Sequence, residues 1–392
     1  MDRLQAFLAD ELHGLQERGV FIRPRVLETE QKATVVMDGR EVITLSSNNY
    51  LGLTVHPHLR QAALEAIERY GVGTGAVRTI AGTMTLHQEL ETRLARFKHT
   101  EAALTMQSGY ATNLGVISAL MQEDDLIISD ALNHASIIDG IRLCKAPRKV
   151  FRHKDMADLR RVLETSSAAR KVMVVTDGVF SMDGDIAPLD EIVALAEQYG
   201  AFVMVDDAHA SGVLGQNGRG SVSHFGLEGR VALQIGTLSK GIGALGGYAA
   251  CSQDMRDFLL NRARPVLFST SHPPSVVATC IAALDILEQD TSLVERLWEN
   301  TSLFKKGLEG LGFNTGQSET PITPVIVGEG ALAVELSARL FAEGVFAQAI
   351  VYPTVPVDRC RVRTIVTALH THDELSRALE IFARVGKELG II

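Results

Sequence analysis

From about residue 100 the sequence repeats one pattern: a short apolar run, a polar turn and an amphipathic segment. This repeat constrains the fold more than any other feature. The runs Ala102–Met106, Leu126–Asp130, 172–176 and 202–205 are almost continuously apolar. Strand side chains point alternately to opposite faces, so a strand without polar positions has to be covered on both. The segments between supply the cover, with Ile137, Ile138, Ile141 and Leu143 on one and Leu189, Ile192, Val193 and Ala196 on another. Alternation of this kind implies an α/β fold built on a mostly parallel sheet. Ligands of such sheets bind outside the carboxyl ends of the strands, so the turns that follow the strands are where chemistry is expected.

One of those turns follows the apolar run 231–235 and carries Thr237, Ser239 and Lys240, then Gly241 and Gly243. A lysine at a strand end can be desolvated, which lowers its pKa and makes the amine a nucleophile toward a carbonyl. The hydroxyls suit an anion beside it, and the glycines allow close backbone approach. The combination points to a Schiff-base lysine next to a phosphate, as pyridoxal phosphate requires; a solvated loop lysine is the bland alternative. A second turn, after run 202–205, carries Asp206, Asp207 and His209. An aspartate here can pair with a pyridinium nitrogen and keep the ring an electron sink, and the histidine can donate to a phenolic oxygen. A Mg²⁺ carboxylate pair or a helix cap is the alternative, and the arrival of Lys240 one strand later favours the cofactor.

Other turns are more ambiguous. Ser108, Gly109 and Tyr110 open a helix, which offers free N–H groups to a phosphate, while Ser108 also suits a cap. His134 stands where a strand gives way to a helix, placed to stack on a planar ring or to cap. Asn48 and Asn49 read as turn residues or as amides for a ligand. The stretch 266–271 reads as a strand end rich in hydroxyls, including Ser269 and Thr270. Arg361 and Arg363 alternate on a strand; Arg363 suits a substrate carboxylate, whereas Arg361 reads as a surface salt bridge.

The 392 residues divide into an N-terminal helix and strand segment (1–50), a large domain (51–290) and a small C-terminal α+β domain (291–392). Leu4, Leu8, Leu12 and Leu15 form one helical stripe, expected to bury itself on the body or on a partner subunit. A net charge of −9 argues against nucleic acid as a partner. Four scattered cysteines give no metal site and fit a reducing compartment. No signal peptide or membrane-length apolar run is evident, and a cytoplasmic location is expected.

The stretches Ser47 to Gly52, Leu132 to Ser136, Thr176 to Gly184, Val205 to His209 and Thr237 to Lys240 together resemble the α-oxoamine synthases, fold-type I pyridoxal phosphate enzymes. The resemblance implies a large, mostly parallel sheet domain with a smaller C-terminal domain. It implies that Lys240 holds the cofactor and moves the substrate's α-proton, that Asp206 pairs with the ring nitrogen, and that His209 bonds the phenolic oxygen. His134 would stack on the ring, Ser181 would lie beside it, and Ser108, Gly109, Tyr110 and Thr237 would surround ring and phosphate. Ser269 or Thr270 would reach the phosphate of a neighbouring subunit, which implies a homodimer. Asn48 and Arg363 would hold the amino-acid carboxylate. Gly109 replaces a cysteine of some members and Gly241 a common alanine. The stretch Ser129 to Gly140, with Arg262 to Pro265, is most similar to glycine C-acetyltransferases. The expected reaction is therefore condensation of glycine with acetyl-CoA; the alternatives are condensation of L-alanine and pimeloyl-CoA by an 8-amino-7-oxononanoate synthase, or a promiscuous α-oxoamine synthase accepting several acyl-CoAs.

Overall fold

Seven strands pair into one sheet: β1 (Ala102–Met106), β2 (Leu126–Asp130), β3 (Arg148–Phe151), β4 (Val172–Asp177), β5 (Phe202–Asp206), β6 (Leu233–Thr237) and β7 (Gly247–Cys251). Their order across the sheet is β1-β7-β6-β5-β4-β2-β3. Only β7 runs against its neighbours, β1 and β6; the remaining pairs are parallel. The carboxyl ends of β1, β2, β4, β5 and β6 therefore share one edge. The computed structural model describes residues 2–18 and 20–392.

Alternation along the strands feeds two cores. Ile128, Val174, Val203 and Val205 point to one face and pack against the helices Met156–Glu164 and Leu189–Gln198. Ile127, Met173, Val175, Met204 and Ile235 point to the other, under the helices Gly109–Leu120, Ala135–Leu143 and Gln253–Arg262. Each central strand loses water on both faces, which is why its sequence lacks polar alternation. At roughly 25 cal/mol per Å² of apolar surface, each fully buried Val or Ile contributes about 1.5–3 kcal/mol.

Beneath the carboxyl edge lies a charged pair closed off from water. Lys98 Nζ is 2.8 Å from Asp207 Oδ2, and both side chains are fully buried. Burial alone would lower the lysine's pKa, but the Asp207 charge outweighs it and raises it. Asp207 also accepts from Ser221 N at 3.1 Å, so this one carboxylate anchors the chain leading away from β5.

Residues 48–298 with 319–321 form one compact unit, which contains this sheet. The other unit takes the chain up to residue 47 together with 299–318 and 322–392. It holds two three-stranded sheets. In one of them, Thr34–Met37 pairs antiparallel with Arg40–Thr44, which pairs parallel with Val345–Phe346. In the other, Cys360–Ile365 lies between Ile322–Gly328 and Gln348–Ile350. The last helix, His372–Glu388, opens on a capping box of Thr371 and Glu374.

Two expectations are corrected. Arg361 is no surface residue: it is 1% exposed, because its strand is central, and its Nε donates to Arg359 O at 2.9 Å. Residues Arg264–Phe268 form a short helix rather than a strand end, opened by proline in its first turn. Within a single chain the leucine stripe of helix Asp2–Glu17 is exposed, Leu4 at 59% and Leu12 at 47%, so its own body does not cover it. Among the described residues no helix is long and apolar enough to cross a membrane.

Candidate active site

A cavity of about 250 Å³ opens at the carboxyl edge of the large sheet. Its wall is made by the ends of five strands: Ser108, Gly109 and Tyr110 follow β1, His134 and Ser136 follow β2, Asp177, Val179 and Ser181 follow β4, Asp206, Ala208 and His209 follow β5, and Thr237, Ser239 and Lys240 follow β6. Parallel strands of similar length end at one level, so residues far apart in sequence meet here.

Lys240 and His209 form the reactive end. Lys240 Nζ lies 2.8 Å from His209 Nε2, and His209 Nδ1 lies 2.7 Å from the hydroxyl of the buried Tyr50. The imidazole is therefore held between a phenol and the amine.

Asp206 lies at the floor of the cavity. Its Oδ1 accepts from Ala208 N at 2.8 Å and its Oδ2 from Asn113 Nδ2 at 2.6 Å. Asp177 sits beside it in the sheet register. Burial, then the neighbouring Asp206, push the Asp177 carboxyl well above the usual carboxylate range. Asp177 Oδ2 accepts from His134 N at 2.9 Å. His134 caps its helix through Nδ1, which accepts from Ser136 N. Desolvation lowers its imidazole pKa, opposed by Asp206 and reinforced by Lys240.

The third wall suits an anion. Ser108 caps helix Gly109–Leu120, accepting from Ala111 N at 3.0 Å, so the positive end of that helix faces the cavity. Thr237 Oγ1 lies 2.7 Å from Ser239 Oγ and donates to Gly246 O at 2.9 Å. Gly247 backs this turn closely: a Cβ there would come within 2.5 Å of Gly109 N. Gly241 has a similar reason, since a Cβ would meet Ser211 O at 2.5 Å. The expected alanine would not fit at that position without movement of the 211 backbone.

Ser269 and Thr270 do not line this cavity; their carbonyls accept from Gln107 Nε2. Tyr110 is among the residues lining it, and its hydroxyl donates to Asp139. Asn48 begins the large unit, and Arg363 lies half-buried on strand Cys360–Ile365 of the small one. Sequence reasoning passed over Tyr50, Asn113, Ser136 and Asp177 as site residues. Asp177 was findable, because it ends β4 as Asp206 ends β5. Asn113 carried no signal, being one polar residue inside a helix.

A helix N-terminus with hydroxyls, a carboxylate floor and a lysine within one cavity fit a phosphorylated pyridine aldehyde. The aminotransferase class I and II family model matches residues 40–382. The chain belongs to that family. Its cofactor is pyridoxal 5′-phosphate, and within the family it is an α-oxoamine synthase, an enzyme acting on small-molecule substrates. It is 61% identical to the 8-amino-7-oxononanoate synthase of Exiguobacterium sibiricum over 385 residues, covering 98% of this chain and 99% of that one. The synthase of the same name from Symbiobacterium thermophilum is 58% identical over 390 residues, covering 99% and 100%. A serine palmitoyltransferase structure solved with a pyridoxal phosphate internal aldimine superposes with a TM-score of 0.93 at 34% identity, over 98% of each chain.

These relatives overturn the expectation of a glycine C-acetyltransferase. Of the stretch Ser129 to Gly140 the cavity is lined by His134 and Ser136, whose cofactor chemistry is common to every acyl donor the family uses, and Arg262 to Pro265 are not among the lining residues. These motifs therefore carry little information about the acyl chain.

Proposed function

We propose that this chain is an 8-amino-7-oxononanoate synthase, condensing L-alanine with pimeloyl-CoA. The observation that carries the reading is its identity of 61% and 58%, over essentially full length, to synthases of that name. Carbon accounting defines the reaction. Alanine brings three carbons and the pimeloyl group seven, while the product keeps nine, so one carbon leaves as CO2 and coenzyme A is released.

When bound, pyridoxal phosphate supplies an electron sink for negative charge developing at the amino acid's α-carbon. The chain's residues do the rest. Lys240 Nζ is assigned the covalent link to the cofactor and, once displaced by the amino acid, the transfer of the α-proton. His209, at 2.8 Å, orients that amine and is backed by Tyr50. Asp206 is assigned the ring nitrogen, held for that purpose by two N–H donors. His134 and Ser181 line the same cavity, where His134 would cover one ring face and Ser181 would lie at its edge. Ser108, Gly109, Tyr110 and Thr237 take the ring and phosphate. A cytoplasmic homodimer is part of the same reading, with the partner subunit's Ser269 or Thr270 completing the phosphate site; the support is that neither hydroxyl lines the cavity of its own chain.

The test is steady-state release of coenzyme A, with alanine or glycine against pimeloyl-, acetyl- and palmitoyl-CoA. The expected result is a kcat/KM for alanine with pimeloyl-CoA at least a hundredfold above every other pair. Equal or better turnover of another acyl donor would refute it.

A further inference from the structure

Asn113 is fully buried on helix Gly109–Leu120, and its amide nitrogen meets two acceptors at once. Nδ2 lies 2.6 Å from Asp206 Oδ2 and 2.9 Å from Ser136 Oγ. Its oxygen, Oδ1, has no hydrogen-bond partner among the described residues. The orientation is fixed by chemistry: an amide oxygen turned toward the carboxylate would set two acceptors against each other at that distance.

The proton directions then run outward from this amide. One N–H goes to Asp206 and the other to Ser136 Oγ. The serine oxygen, already accepting, is free to donate its own proton to His134 Nδ1, 2.7 Å away. The backbone N–H of Ser136 points at the same nitrogen, at 3.2 Å. With two donors aimed at it, Nδ1 serves as an acceptor, so the ring proton sits on Nε2. A second proton on Nδ1 would face both donors, so the arrangement also disfavours the imidazolium.

We propose that Asn113 is a positioning residue of the active site, fixing the Asp206 carboxylate with one N–H and, through Ser136, holding His134 as the neutral Nε2–H tautomer with the other. A buried amide with an orphaned acceptor is a poor choice for packing alone, since that acceptor is desolvated without return. Its retention is explained by what its two N–H groups hold. The proposal rests on the cofactor assignment and not on the choice of acyl donor.

The test uses the holoenzyme and two variants, with readouts that need no substrate. In Asn113→Ala the dissociation constant for pyridoxal phosphate should rise about tenfold or more, the loss expected for a hydrogen bond to a charged group. The pH midpoint of the cofactor's visible band should move with it. In Ser136→Ala the ¹⁵N signals of the His134 ring should shift toward a mixture of tautomers and the ring should titrate at higher pH. Cofactor affinity within twofold in Asn113→Ala, or unmoved His134 ring signals in Ser136→Ala, would overturn the proposal. If Asn113→Ala does not fold, the Ser136→Ala spectrum decides alone. A chain that turned out to prefer another acyl donor would still give both expected results.

Discussion

His153 offers a pH-dependent handle on the loop that follows Asp177 and carries Ser181. Its Nδ1 lies 3.0 Å from Asp130 Oδ1 and its Nε2 lies 2.9 Å from Asp185 Oδ2. The ring thus ties the end of β2 to the far end of the loop after β4, and it packs edge-on against Phe180. Burial alone would lower the imidazole pKa, but the hydrogen bonds to the two carboxylates, first Asp130 and then Asp185, raise it to about 9. A group whose folded pKa lies above its unfolded value stabilises the fold fully below the unfolded pKa. That contribution is lost as pH rises through the folded one. The window here runs from about pH 6.5 to about pH 9. At 1.36 kcal/mol per pH unit the raised pKa corresponds to roughly 3 kcal/mol. For a chain of this length that is about 4 °C in Tm.

The experiment compares the holoenzyme with His153→Gln in thermal unfolding at pH 6.5 and at pH 9. The variant should be less stable at pH 6.5, because it leaves the buried Asp130 without its cation, while Asp185 keeps Lys154 at 3.1 Å. The parent should then lose about 3 °C more than the variant on going to pH 9, since part of the contribution is already gone at pH 6.5 and a little remains at pH 9. Parallel losses in the two proteins would refute the double ion pair, since no other His153 chemistry spans that window.

Two further substitutions probe the cup and the buried pair. Gly247→Ala places a methyl group 2.5 Å from Gly109 N, so the turn that presents the helix N-terminus must shift; cofactor affinity should fall by about tenfold or more, and an unchanged dissociation constant would contradict the phosphate assignment. Lys98→Met leaves Asp207 buried without its partner and should cost about 3–5 kcal/mol, read as a fall in Tm of about 4–6 °C; a fall below 1 °C would show that the pair is not closed off from water.

The α/β class and most strand positions follow from composition along the chain, because a strand covered on both faces has no place for polar residues. The central lysine, aspartate and histidine were legible for a related reason. Each closes an apolar run, and parallel strands bring their ends together whatever lies between them. Asn113 was not legible. Its partners Ser136 and Asp206 come from other elements, and they meet it only because two helices pack over the same sheet edge. The pairing of Lys98 with Asp207 was hidden likewise, since a lysine near a helix end reads as solvated until its surroundings are known. Residues Arg264–Phe268 misled because five residues are too few to show a period. The N-terminal strands belong to the same unit as the C-terminal segment, a union that local sequence cannot express. Sequence motifs thus determined the cofactor chemistry, which depends on residue type at strand ends. Tertiary packing decided how those residues are held, because hydrogen bonds and ion pairs form between neighbours in space.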